Sequence, residues 1–187
     1  MSALTKASTS ADTEVTIATE VHPRAEENFC LFYHRTARGL RAYLRRMLAD
    51  PSNADDLLQE SYLRLLRAKL PADMSDDHQK NYLFRIATNL LRDQAAQNKT
   101  LPITGETQAP ERVADAVQQR EDLRRAMNEV KPRERELLWL AYVERFNHDE
   151  IATIVGAKTQ SIRPMLSRAR ANLSEVLRRM GLTDSRR

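Results

Sequence analysis

Apolar residues recur at spacings of three and four through most of the chain, and the stripe breaks only at short polar or proline-containing segments. That period is the mark of amphipathic helices. Phe29, Phe32, Tyr33, Ala37, Leu40, Leu44, Met47 and Leu48 form the first stripe, with Arg35, Arg38, Arg41, Arg45 and Arg46 over much of the remaining surface. Asp50-Pro51-Ser52-Asn53 suits a turn and an N-cap. A second helix is predicted over 54–68, with Leu57, Leu58, Tyr62, Leu65 and Leu66 inward, then an acidic loop over 71–79. A third begins near Lys80 or Asn81, carries Leu83, Phe84, Ile86, Ala87, Leu90 and Leu91, and fades over 94–100.

Residues 99–117 hold Pro102, Gly105 and Pro110 with little apolar period and read as a flexible linker. Helices are then predicted over 117–130 (Leu123, Met127 and Val130 inward) and 134–144 (Leu137, Leu138, Leu140, Ala141 and Val143), with Lys131-Pro132-Arg133 between them. The last portion is the most specific. Asn147 can cap a short helix holding Ile151, Ala152, Ile154 and Val155, and Gly156 stands where a left-handed helix end needs it. After a polar turn, a long helix over 160–179 carries Ile162, Leu166, Ala169, Leu173 and Leu177. Short helix, glycine turn and second helix make a helix-turn-helix. The expected fold is all-α: two small helical domains, 25–98 and 118–187, joined by the linker, with residues 1–24 a flexible, period-free tail.

Composition sharpens this. Four glycines and 5% aromatic residues in 187 suggest neither a β-sandwich nor a glycine-rich nucleotide fold. The net charge of +4 permits nucleic-acid binding without establishing it. Over 158–187, eight basic residues face only Glu175 and Asp184. A phosphate backbone attracts such a helix, although a solvated helical face carries the same pattern. Cys30, the single cysteine, excludes an internal disulfide and is expected to be buried. No long apolar run or signal-peptide core occurs, so the protein is expected in the cytoplasm without membrane insertion. There is no glycine-rich phosphate loop, HExxH, CxxC or GxSxG, and His148 has no second histidine at helical spacing. No catalytic residue, metal site or cofactor is expected.

Two parts of the chain resemble one family. Asp55-Asp56-Leu57-Leu58-Gln59-Glu60-Ser61-Tyr62-Leu63-Arg64-Leu65 and Asn81-Tyr82-Leu83-Phe84-Arg85-Ile86-Ala87-Thr88-Asn89-Leu90-Leu91-Arg92-Asp93 resemble segments of extracytoplasmic-function sigma factors. So do Lys131-Pro132-Arg133-Glu134-Arg135-Glu136-Leu137-Leu138 and the helix-turn-helix from His148 through Leu173. The resemblance implies a non-catalytic subunit that brings core RNA polymerase to promoters. It implies docking of the first domain on the polymerase β′ coiled coil through Asp55, Asp56, Leu57, Gln59 and Glu60. It implies −10 contacts from Asn81, Tyr82, Arg85, Asn89 and Arg92, with help from the preceding loop. It implies −35 contacts from Lys158, Gln160, Ser161, Arg163, Ser167 and Arg168, contact of the second domain with the β flap, and an anti-sigma partner clamping between the domains.

The residues suit those roles on their own chemistry. Asp55, Asp56 and Glu60 can share a helix face toward a basic partner, while a helix N-terminus alone would explain the two aspartates. Arg85 and Arg92 can meet phosphate and Asn89 a base edge; Tyr82 can stack on a base or pack in the core. The start of the last helix is the end that reaches bases in a major groove, and Arg170, Arg178 and Arg179 face phosphate or solvent. Pro164 and Met165 depart from the family pattern: either the helix starts late, with Pro164 in its first turn, or it is disturbed there. A stand-alone helix-turn-helix regulator and a protein adaptor remain alternatives. Beyond the N-terminal tail no regulatory extension is evident, and control within the chain is not expected.

Overall fold

The computed structural model describes residues 23–71, 73–98 and 115–182. The expected tail up to residue 22, and all of the linker before residue 115, lie outside them. The first module holds α1 (Pro23–Met47), α2 (Ala54–Arg67) and α3 (Asp76–Asn98). The second holds α4 (Asp115–Glu129), α5 (Pro132–Leu138), α6 (His148–Val155) and α7 (Thr159–Arg179). Among the described residues there is no strand, and no helix is long and apolar enough to cross a membrane.

Between α1 and α2, Pro51–Asn53 forms a 3₁₀ turn. Its cap is Asp50, which accepts from the Ser52 N–H and is held below the usual carboxylate range by that bond; Asn53 makes no side-chain cap. The inward face of α2 is Ala54, Leu58, Ser61, Tyr62 and Leu65, while Leu66, expected in the core, is 57% exposed. Cys30 is also exposed, contrary to expectation, because it lies one residue off the stripe defined by Phe29 and Phe32. Helix α3 starts at Asp76, inside the expected acidic loop. Ser75 sets that start: its carbonyl accepts from Gln79, its hydroxyl from the His78 N–H, and Asp76 and Asp77 favour the dipole of the first turn.

In the second module α4 begins at Asp115, so the end of the expected linker is helical. It buries Ala126, with Val130 just beyond its end, and leaves Leu123 exposed. Pro132 sits in the first turn of α5, where its missing N–H costs nothing. The expected helix through Glu144 passes at Trp139–Val143 into a wider π-turn, which turns Val143 outward. Asn147 and Glu150 form a complete capping box on α6, and Gly156 closes it at φ 63°, ψ 45°.

The two modules pack on each other, with α3 at the boundary against α6. One apolar cluster runs across it, joining Leu40, Leu83, Phe84 and Ala87 to Leu137, Leu140, Phe146 and Ile151. Phe84 and Phe146 meet edge to face at 5.2 Å. A polar hub lies beside them. Glu136, 8% exposed, accepts from Arg133 at 2.8 Å, and from Arg92 and the Tyr43 hydroxyl at 3.4 Å each. Tyr43 also bonds Thr88 at 2.7 Å, and burial and the Glu136 carboxylate push its phenol far above the usual range, so it stays neutral. At the edge, Lys80 pairs with Glu144 at 3.0 Å and lies 4.8 Å from the Phe146 ring centre. Glu144 comes so close to α1 that a Cβ on Gly39 would stand 3.1 Å from its Oε1.

Asn147→Ala removes the acceptor for two backbone N–H groups and is expected to lower stability by about 1 kcal/mol in urea denaturation, with helix content kept. Tyr43→Phe leaves Thr88 and Glu136 each short of a partner and is expected to lose about 1–2 kcal/mol in the same assay. An unchanged midpoint would show that the hub carries no weight.

Candidate nucleic-acid interface

The outward half of α2 carries the first group of expected site residues. Asp55, Asp56 and Gln59 are exposed, while Glu60 and Leu57 are half-buried. Asp55 is paired across to Arg41 of α1 at 2.8 Å, and Glu60 to Arg64 one turn on at 2.7 Å. The acidic face is therefore a line of exposed ion pairs, which a basic partner can exchange at little cost. Leu63 and Leu66 lie on the same side, 45% and 57% exposed. Sequence periodicity put Leu66 in the core and passed over Leu63. Together they add an apolar strip beside the carboxylates, the mixed surface a helical partner needs.

On α3 the second group divides. Asn89 is exposed, and Arg85 lies 4.7 Å over the Tyr82 ring, with both side chains half-buried. Tyr82 packs in part against the core, so its face is covered on one side. Asn81 is only 8% exposed. Arg92 reaches over the boundary, donating to the Val155 carbonyl at 3.1 Å as well as to Glu136. Tyr82, Arg85, Asn89 and Arg92 thus share an outward strip, while Asn81 faces inward. The preceding loop is shorter than expected, since Asp76 and Asp77 are helical and Asp76 pairs with Arg35 at 2.5 Å.

The third group sits on a complete helix-turn-helix. Burial of Ile151, Ala152, Ile154 and Val155 on α6, and of Ile162, Leu166 and Ala169 on α7, fixes the two helices against each other. Lys158, Gln160, Arg163, Ser167 and Arg168 are all exposed and Ser161 is half-buried. The turn and the first three turns of α7 thus present one polar, basic surface. Helix α7 begins at Thr159, which removes the late-start alternative: Pro164 lies in the second turn of a continuous helix. Its ring nitrogen leaves the Gln160 carbonyl without an intrahelical donor, at an exposed position where water can serve. Arg178 and Arg179, expected to face phosphate or solvent, are paired with Glu175 and Glu129.

One further surface was not legible from local patterns. The end of α1 and the faces of α4, α5 and α7 enclose a groove of about 960 Å³, walled by Leu123, Met127, Trp139, Leu173 and Leu177. Arg45, Arg46, Arg124 and Arg170 border it, and no carboxylate lines it. Burial above all, with Arg135 and Arg124 close by, pulls the Arg46 guanidinium down to about 10.

Comparison with known proteins agrees with this arrangement. A Sigma-70 region 2 model matches residues 32–100, and a Sigma-70, region 4 model matches 120–173. The chain is 25% identical over 155 residues to the RNA polymerase sigma factor NccH of Alcaligenes xylosoxydans xylosoxydans, covering 76% of this chain and 83% of that one. It is 28% identical over 143 residues to the ECF RNA polymerase sigma factor EcfG of Rhodopseudomonas palustris, covering 74% and 78%. In fold it is similar to the sigma factor RpoE in its complex with the anti-sigma factor NepR from Bartonella quintana, with a TM-score of 0.67, 21% identity, and coverage of 81% and 98%. With both matched regions in family order, and the second ending on the helix-turn-helix, the chain belongs to the sigma-70 family as an extracytoplasmic-function sigma factor.

Proposed function

We propose that this sigma factor binds core RNA polymerase and directs it to promoters through three separate surfaces, contributing no chemistry of its own. The observation that carries this reading is the order of its parts: an acidic and apolar helix face, a basic strip on α3, and a helix-turn-helix with an exposed basic row. The outward half of α2, with Asp55, Asp56, Leu57, Gln59 and Glu60, docks on the β′ coiled coil, where carboxylates give orientation and Leu63 and Leu66 give buried area. The start of α7 enters the major groove of the −35 element, with Gln160, Ser161, Arg163 and Ser167 toward base edges and Lys158 and Arg168 toward phosphate. Helix α3 then holds the opened −10 strand through Arg85, Asn89 and Arg92, with Tyr82 offering its uncovered ring edge.

The arginine-bordered groove fits an amphipathic helix with acidic flanks. The similar RpoE was crystallised with an anti-sigma factor, and we assign this groove to a partner of that class.

The surfaces are separable. Asp56→Arg with Glu60→Arg is expected to weaken binding to purified core polymerase about tenfold and to leave duplex DNA binding unchanged. Arg163→Ala with Arg168→Ala is expected to do the reverse. Core binding stays, promoter-specific starts are lost, and the salt slope of duplex binding falls by about 1 per phosphate contact removed. A tight complex of the chain alone with a palindromic duplex, without any affinity for core, would instead support a stand-alone regulator.

A further inference from the structure

The outward face of α7 holds one residue that neither charge nor hydrogen bonding explains. Buried Ile162, Leu166 and Ala169 fix which way the helix turns, and Gln160, Pro164, Ser167 and Arg168 stand on the side away from them. At about 100° per residue, Pro164 falls between Gln160 and Arg168, about 40° from each, in the middle of the polar, basic row. It is exposed, whereas Met165 turns back and packs in part against the core. Within the first three turns of α7 the outward row thus has a single apolar member, and that member is a proline ring.

The ring is held in one place. It is closed on its own backbone and has no rotamer freedom to lose on contact. The helix runs through it without a break to Arg179. Around it the backbone is tied: the Ser161 N–H donates to the Lys158 carbonyl at 2.9 Å, and the Arg168 Nε–H to the Pro164 carbonyl at 3.4 Å. The ring itself carries neither donor nor acceptor, so it has nothing to offer a phosphate oxygen or the polar edge of a base. Among the groups that base pairs present in a major groove, the apolar one is the C5 methyl of thymine. Contact between ring and methyl takes both surfaces out of water, which no other group in the groove would do for this side chain.

We propose that Pro164 is a specificity-determining residue: its ring packs on the C5 methyl of a thymine in the −35 element and selects an A·T pair there. The proposal rests on the reading of α7 given under the proposed function. Gln160 lies about 6 Å before Pro164 along the helix, and base pairs stack about 3.4 Å apart. The thymine therefore lies within about two base steps of the pair that Gln160 reads. A polar residue at position 164 would choose its base by hydrogen bonds; the ring chooses by the methyl alone.

The test uses the full chain with core polymerase on a promoter mapped by its run-off start. Each thymine of the upstream element, on either strand, is replaced singly by deoxyuridine, which removes the methyl and keeps every hydrogen-bonding group. With the unaltered chain, a replacement at the position facing Pro164 is expected to weaken promoter binding about fourfold, the effect of one methyl returned to water. With Pro164→Ser, thymine and deoxyuridine at that position are expected to bind alike. That substitution gives the Gln160 carbonyl an N–H partner again, so helix content is expected to hold. Pro164→Ala keeps a small apolar group and is expected to show a sensitivity between the two. No sensitivity to deoxyuridine at any position in the unaltered chain, or the same sensitivity in Pro164→Ser, would overturn the proposal. If it is overturned while Arg163→Ala with Arg168→Ala still abolishes the start, the −35 reading of α7 stands without it. If those two arginines also prove dispensable, the reading of α7 falls and the proposal falls with it.

Discussion

The structure turns on one buried carboxylate. Glu136 sits on α5 between the modules, and a charge in that position is tolerated only with donors around it. Arg133 is the local donor, three residues back on the same helix. Tyr43 and Arg92 are the distant ones, on α1 and α3 of the first module. The hub therefore couples three helices and fixes the register in which the modules meet. Packing follows from that register: Phe84 finds Phe146, Gly39 leaves room for Glu144, and Arg133 and Arg92 both reach the free carbonyl at the end of α6.

This geometry distributes exposure among the three functional surfaces unequally. The helix-turn-helix turns its basic row outward, because α6 uses its other side against α3. The α2 face is likewise open. On α3 the side against α6 is covered, while Tyr82, Arg85, Asn89 and Arg92 lie on its outward strip.

Much of this was legible in the sequence where the determining chemistry is local. Asn147 and Gly156 mark both ends of α6 within ten residues, and both act as read. The class of fold, the seven helices of the described residues and the exposed row on α7 follow from period and capping alone. Errors arose at stripe edges and at unrecognised caps. Leu66 and Cys30 sit beside inward positions, and a helix of modest width turns them out. Ser75 starts α3 early, and its acidic first turn resembled a loop. The boundary between modules was not legible at all, because Tyr43 and Glu136 are 93 positions apart and neither carries a local signature of its partner. The tie that Arg92 makes to Glu136 and to the Val155 carbonyl lacks a local signature for the same reason.

The central claim is that this chain gives core polymerase a promoter choice. It is tested most directly by run-off transcription on fragmented genomic DNA, with purified bacterial core polymerase in the presence and absence of the protein. The account predicts new, discrete 5′ ends, each preceded by the same two spaced elements. No new starts, together with no co-elution of the protein with core, would contradict it.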